Sequence, residues 1–353
     1  MTTQTTDIWG NPVVKTPAVF FEEGDIDGLF NYYRQAGFPQ YQRGGYNARR
    51  ELEKVISAPT EEYYHGGVYI KYQSANGFLF SYFPHWIDVR CGNSPSLREA
   101  WETDTLLREC IAKTINYCRK HGEDWSTNRI RQNAKVYCAK QTVSNFNPVC
   151  ARLLYDEFAQ GGTVYDMSMG WGGRLLGFYA SSAVRYIGTD PSIKTFCGLQ
   201  ELNADLYKVN RREKHTWLFH TGSEKFDLVG GVADFCFTSP PYFDTERYSN
   251  EATQSYIAYP TPAAWMEGFL RETIRRCWAV LKDTGYLAIN IADTAKCKVS
   301  GVIIEMAEAV GFKYRETRRY ELSSVTDASN KTEPIYIFTK GEPAGNGFAD
   351  TLF

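Results

Sequence analysis

Through the second half of this chain, short continuous apolar runs alternate with stretches whose apolar residues have helical spacing. Val164-Tyr165-Asp166, Tyr186-Ile187-Gly188, Trp217-Leu218-Phe219, Ala233 to Phe237, Tyr286 to Ile291 and Pro334 to Thr339 read as strands. Between them, Leu175 to Ala180 reads as a helix, and so does Val302 to Val310. Ala263 to Leu281 places Phe269, Ile274, Trp278 and Leu281 at helical spacing and meets a glycine stop at Gly285. Leu153, Leu154 and Phe158 mark an amphipathic helix ahead of the first of these strands. Strand-helix alternation of this kind predicts an α/β protein with a doubly wound, mostly parallel sheet.

The first part of the chain follows a different pattern. Val68 to Tyr72 and Phe78 to Tyr82 alternate on either side of Asn76-Gly77, which predicts a hairpin, and Ser96 to Cys118 has helical periodicity behind a Ser-Pro-Ser start. Aromatic residues are dense between Tyr32 and Trp86. They predict a small α+β domain whose rings form its core or, if it recognises a target, stack on bases. The expected organisation is an N-terminal domain over residues 1–140, a second domain over 141–340 and a tail over 341–353.

Candidate chemistry sits where two of the runs stop. Ala233 to Phe237 is followed by Thr238-Ser239-Pro240-Pro241-Tyr242, and consecutive prolines, lacking N–H donors, turn the chain out of a sheet. In an open α/β sheet the carboxyl edge of the strands is where ligands bind. A hydroxyl, the Pro240 carbonyl and an aromatic face together suit a planar amine. Upstream, Val164-Tyr165-Asp166 runs into a turn containing Gly170, Gly172 and Gly173, and a second strand ends at Asp190. A glycine turn followed roughly twenty residues later by an acid is the layout of a nucleoside-binding βαβ unit.

Taken together, these residues resemble the S-adenosylmethionine-dependent amino-methyltransferases that methylate exocyclic amines of cytosine or adenine in DNA. The resemblance spans roughly residues 141 to 340. It implies a class I, Rossmann-like methyltransferase fold with a seven-stranded, mostly parallel sheet. A reversed hairpin of Tyr314 to Leu322 against Ile335 to Thr339 would close that sheet. S-Adenosylmethionine is the implied cofactor, held by Asp166, Ser168, Gly170, Gly172 and Gly173 and, at the ribose, by Asp190. Ser223 and Glu224 would form the turn at the adenine, and Phe146-Asn147 the segment closing over the methionine end. The chain departs from the family at Ser168, where Phe is usual, and at Trp171 inside the turn.

Ser239, Pro240, Pro241 and Tyr242 are the implied catalytic residues. Ser239 Oγ and the Pro240 carbonyl would accept from the amine, and methyl transfer would be a direct in-line displacement. Tyr242 and Phe243 would stack on a base flipped out of the duplex. Serine at the head of the motif favours cytosine N4 over adenine N6, and duplex or single-stranded DNA is the implied partner. RNA or protein-glutamine methylation, a non-methylating base modification on the same fold and a non-catalytic nucleic-acid-binding subunit remain alternatives.

A net charge of −2 over 353 residues does not by itself suggest a DNA protein. Local charge matters more. Arg108, Lys113, Arg119, Lys120, Arg129, Arg131, Lys135 and Lys140 outnumber the acids among them, which makes Arg129 and Arg131 candidate phosphate contacts. Arg247 lies in the long, tyrosine-rich loop after the motif, a candidate lid or target contact. The nine cysteines contain no Cys-x-x-Cys pair, so no metal site is expected and a reducing cytoplasm is. Cys236 should be buried on its strand and unable to act as a nucleophile. Met1 to Pro12 has no targeting pattern and no run approaches a membrane span, so a cytoplasmic protein without a membrane partner is expected.

Overall fold

The computed structural model describes residues 16–71, 75–140, 143–228, 230–322 and 331–341. The chain forms two compact units, one from the described residues of Met1–Gln40 with Ile87–Val143, the other from Tyr41–Trp86 with Ser144–Phe353.

The first unit is largely helical, with Ile26–Ala36, Leu97–Glu102, Asp104–His121 and Thr127–Asn133 as its main elements. Ser96 opens the second of these through a reciprocal cap, its hydroxyl accepting from Glu99 N and its own N–H donating to the Glu99 carboxylate. The single helix expected over Ser96 to Cys118 is thus two, separated by the extended backbone of Thr103. Tyr33 and Trp101 meet edge-on at 5.3 Å, and Trp125 Nε1 donates to the Tyr33 hydroxyl at 3.1 Å.

The second unit is built on one sheet. Its strands are β1 (Tyr64–His65), β2 (Val68–Tyr69), β3 (Thr163–Asp166), β4 (Arg185–Asp190), β5 (His215–His220), β6 (Ala233–Thr238), β7 (Leu281–Asn290), β8 (Lys313–Glu321) and β9 (Thr332–Thr339). Their order across the sheet is β1-β2-β8-β9-β7-β6-β3-β4-β5. β3 pairs in parallel with β4 and β6, β4 with β5, and β6 with β7. β9 runs antiparallel to both β7 and β8. The seven strands β3 to β9 form the mostly parallel α/β sheet that the sequence pattern predicts, with the Rossmann-like strand count and the reversed hairpin that the resemblance implies. The parallel strands turn all their carboxyl ends to one edge, and this edge carries the candidate site.

The expected boundary of a single N-terminal domain at residue 140 does not hold. Residues 41–86 group with the sheet-bearing unit. β2 pairs in parallel with β8 and extends the sheet. The buried guanidinium of Arg152, on the helix Pro148–Phe158, donates to the carbonyls of Val55, Ile56 and Ala58 at 3.0, 2.7 and 2.7 Å, closing the end of the helix Ala48–Ile56. The hairpin around Asn76-Gly77 is also absent, because Asn76–Phe80 is a short helix with Phe78, Leu79 and Phe80 all buried. Burial at consecutive positions is not what a one-sided strand provides. Tyr69, Phe78, Tyr82, Phe83 and Trp86 are core residues, so they are not a base-stacking surface. Tyr72 and the tail beyond residue 341 lie outside the described residues.

The helix expected over Ala263 to Leu281 is found as Pro262–Trp265, a π-helical Met266–Arg271 and Glu272–Val280. It stops at Val280, one residue before Leu281, and the strand expected from Tyr286 already begins at Leu281, which is extended and pairs with Ala233. No described helix is long and apolar enough to cross a membrane.

Candidate active site

Asp166 ends β3 and organises the turn that follows. Its carboxylate is fully buried and accepts from Ser168 N at 3.1 Å, Arg174 Nε at 2.9 Å and the Tyr186 hydroxyl at 2.7 Å. Arg174 also donates to the Ser168 carbonyl. Burial disfavours the Arg174 charge, but Asp166, and then Tyr155 and Tyr186, outweigh it and raise its pKa. The backbone of Ser168 is therefore held from both sides by one buried ion pair. Asp166 and Ser168 shape the turn, and Arg174, to which the sequence reading assigns no role, is the group that locks it.

The glycines of the turn serve different ends. Gly170 and Gly172 have φ of +56° and +77°, where a side chain is strained. A Cβ at Gly172 would lie 2.3 Å from Leu202, and one at Gly173 2.0 Å from the Phe146 carbonyl oxygen, so these two glycines permit close packing. Only at Gly170 is there room, the nearest atom being Ser168 O at 3.8 Å. Trp171 is buried edge-on between Phe80 at 5.5 Å and Tyr248 at 5.7 Å, which accounts for an indole inside a glycine turn.

Asp190 ends β4 beside this turn. One carboxylate oxygen accepts from Gly170 N and the other from Ser192 N, each at 3.0 Å. Burial pushes its pKa up to about 7, against the pull of those two N–H groups. Each oxygen keeps a lone pair for a further donor.

The motif after β6 is tied to the far side of the sheet. Ser239 is half-buried, Pro240 is buried, and the Tyr242 hydroxyl donates to Glu333 Oε2 at 2.8 Å, with the Asn290 carbonyl at 3.4 Å. Burial, followed by Glu333, pushes the Tyr242 phenol well above its ordinary pKa and keeps it protonated. Ser239, the open turn at Gly170 and Asp190 thus follow β6, β3 and β4, three neighbours in the sheet.

Residues 233–351 match the DNA methylase family. The matched stretch begins at β6 and includes the Ser-Pro-Pro-Tyr motif, while the glycine turn and Asp190 lie before it. No curated protein matches the chain. Among solved structures it is similar to a TehB-like SAM-dependent methyltransferase from Corynebacterium glutamicum, with 14% identity over 65% of this chain and 98% of that one and a TM-score of 0.38. It is similar also to the 1,6-didemethyltoxoflavin-N1-methyltransferase of Burkholderia thailandensis, with 12% identity, 54% and 76% coverage and a TM-score of 0.37. A Pyrococcus furiosus methyltransferase gives 16% identity, 55% and 83% coverage and a TM-score of 0.36.

Several residues expected at the site make other contacts. Asn147 Oδ1 accepts from Val149 N at 2.9 Å and Cys150 N at 3.4 Å, capping the helix Pro148–Phe158, while its Nδ2 donates to Ile70 O at 3.2 Å. Phe146 stacks on Tyr320 at 5.0 Å and meets Phe237 edge-on at 5.1 Å. Ser223 Oγ is bonded to Thr273 Oγ1 at 2.8 Å, and the buried Glu224 carboxylate folds back over Gly222, its pKa raised by burial. Phe243, expected to stack on a base, instead has φ of +51° and turns its ring into the core, 6.2 Å from Trp265.

The arginines depart from expectation in the same way. Arg129 pairs with Glu123 at 2.5 Å and covers the Tyr117 ring at 4.2 Å, while Arg131 is buried and donates to Pro39 O at 2.8 Å. Both hold the first unit together, so neither is a free phosphate contact. Arg247 is exposed and lies 3.5 Å from Asp244.

The loop after the motif is an ordered strap. Glu251 accepts from Ile193 N at 3.0 Å and Thr253 donates to Pro191 O at 2.9 Å, so the strap reaches the backbone that follows Asp190. Cys236 is fully buried and burial pushes its thiol well up, in keeping with an inert strand cysteine.

Proposed function

We propose that this protein transfers a methyl group from S-adenosylmethionine to the exocyclic amine of a DNA base, cytosine N4 in preference to adenine N6. The observation that carries this reading is the convergence of Ser239, the open turn at Gly170 and Asp190 at the carboxyl ends of three adjacent parallel strands. The match of residues 233–351 to DNA methylases supports it and favours DNA over RNA or protein.

The residues present fit the cofactor. The spare lone pairs of Asp190 suit a ribose diol, and the turn leaves space beside Gly170. Thr238 Oγ1 and Asn145 Nδ2 are buried without a protein partner, an acceptor and a donor for the polar methionine end. When bound, S-adenosylmethionine supplies an electrophilic sulfonium methyl. Ser239 Oγ and the Pro240 carbonyl accept from the substrate NH2, which localises the nitrogen lone pair and aims it. Tyr242, anchored through its hydroxyl, offers its ring to a base that leaves the duplex at a cost of a few kcal/mol. The helical first unit is the candidate for target recognition.

The test is incubation of the full chain with methyl-labelled S-adenosylmethionine and, separately, duplex DNA, single-stranded DNA and RNA, followed by nucleoside mass spectrometry. N4-Methylcytosine in DNA is the expected product. N6-Methyladenine would keep the class and change the base, whereas label confined to RNA, or label on no nucleic acid, overturns the reading.

Asp190 makes cofactor affinity dependent on pH. The ionised carboxylate is the form that accepts from a diol, and with a pKa of about 7 it is protonated below neutrality. Affinity therefore rises with pH through 7, by about tenfold between pH 6 and pH 8 as the ionised fraction grows. Calorimetric titration should show this in the wild type, and Asp190→Asn should bind weakly with no such dependence.

A further inference from the structure

We propose that Glu251 and Thr253 are positioning residues for the cofactor: from the strap that follows the Ser-Pro-Pro-Tyr motif they fasten the turn that carries Asp190, and so they set how long S-adenosylmethionine and its demethylated product stay bound. The inference rests on the placement of the ribose at Asp190 and assigns the strap a task there.

The strap is closed at its base. Both of its ends meet Trp265, whose ring lies 6.2 Å from that of Phe243 and whose Nε1 donates to Ser255 Oγ at 3.1 Å. Its outer part touches the two turns of the cofactor site. Tyr248 lies edge-on to Trp171, next to Gly170, at 5.7 Å. Glu251 Oε1 accepts from Ile193 N at 3.0 Å, and Thr253 Oγ1 donates to Pro191 O at 2.9 Å. The carboxylate is itself held, because Ser249 Oγ donates to its Oε2 at 2.8 Å and the Tyr256 hydroxyl donates to Ser249 O at 2.5 Å. The helix Ile193–Val209 has no side-chain cap from its own preceding residue, Ser192. Glu251 supplies one from 58 residues away, and a carboxylate at a helix N-terminus is favourable. The residue before this capped N–H is Ser192, whose own N–H fixes one oxygen of Asp190, while Gly170 N fixes the other. Without Glu251 the turn spends part of its time in arrangements that do not hold Asp190 in place, and affinity falls with the competent fraction. Pro191 O also accepts from His220 Nε2 at 3.0 Å, so the Thr253 bond is one of two at that carbonyl.

The experiment uses the full chain with Glu251→Ala, Glu251→Gln and Thr253→Val. Calorimetry gives Kd for S-adenosylmethionine and S-adenosylhomocysteine, stopped-flow displacement gives their release rates, and thermal melting checks folding. Glu251→Ala should raise both Kd values by about five- to tenfold, mostly through faster release. On the nucleic acid that the wild type methylates, KM for the cofactor should rise in proportion, with kcat and KM for the acceptor within about twofold. Glu251→Gln keeps an oxygen that accepts from Ile193 N and should stay within about twofold of the wild type. Thr253→Val should raise Kd by about two- to threefold, since His220 still holds Pro191 O. An unchanged Kd in Glu251→Ala, a glutamine variant as weak as the alanine one, or kcat falling in step with affinity would each overturn the proposal while leaving the methyl-transfer reading intact. A wild type that binds the cofactor but methylates no nucleic acid overturns the DNA reading alone, and Kd and release rates then decide the proposal. A wild type that does not bind the cofactor overturns both. Should Glu251→Ala not fold, Thr253→Val decides, and an unchanged Kd in it is the overturning result.

Discussion

Ser239→Ala is expected to lower methyl transfer by about 100- to 1,000-fold while leaving cofactor affinity within about twofold. The hydroxyl is the polar side-chain atom that the motif offers to an amine, since Pro240 and Pro241 have none and the Tyr242 hydroxyl is already bound to Glu333. An oriented acceptor acts on the barrier and not on ground-state binding when its partner, the nitrogen lone pair, is released only as the new bond forms. The backbone should not move, because two prolines and the Tyr242–Glu333 bond remain. Single-turnover label transfer beside calorimetric binding separates the two effects. Full activity in this variant would remove Ser239 from the chemistry, and loss of cofactor binding in step with activity would make it a structural residue instead.

The architecture was legible because it follows from periodicity. Runs such as Phe235 to Phe237 are buried on both faces of a parallel sheet, the setting that favours consecutive apolar residues in a strand. Asp190 and the glycine turn were legible because strand, turn and helix impose their spacing locally. What was hidden depends on contacts between distant segments. Glu333 lies 91 residues from Tyr242, and the two meet only through the order of β6, β7 and β9. Residues 41–86 join the sheet through β2 and through Arg152, some 94 to 97 residues away from the carbonyls it caps. Phe243 was misread because its left-handed backbone, rare for a bulky residue, sends the ring inward where an extended one would present it. Arg129 and Arg131 illustrate the same limit for charge. Composition shows a basic stretch, but only the fold shows that Glu123 and the Pro39 carbonyl already occupy them. Arg174 is the opposite case. A cation opening an apolar helix just past a glycine turn needs an anion in reach, and Asp166 stands eight residues before it.

That ion pair carries the second large effect. Arg174→Leu should destabilise the protein by about 3–5 kcal/mol, because it leaves a carboxylate in the core without its counter-charge. Asp166 is wholly buried, and the Ser168 N–H and Tyr186 hydroxyl that would remain can share its charge but not neutralise it. The change also frees the Ser168 carbonyl, so the turn at Gly170 should lose its preorganised form and cofactor binding should weaken with stability. Urea unfolding of the single variant and of Arg174→Leu/Asp166→Asn distinguishes charge from packing. Removing both charges leaves no buried ion, so the double variant should recover most of the lost stability, since apolar replacement of a whole buried pair is often neutral. Cofactor affinity should not recover with it, because the turn would still lack the guanidinium that held the Ser168 carbonyl. A double variant as unstable as the single one would mean that Arg174 acts through its packing against Phe146 and Phe237, whose ring centres lie 5.5 and 5.8 Å from its guanidinium, and that the charge pair is incidental to the fold.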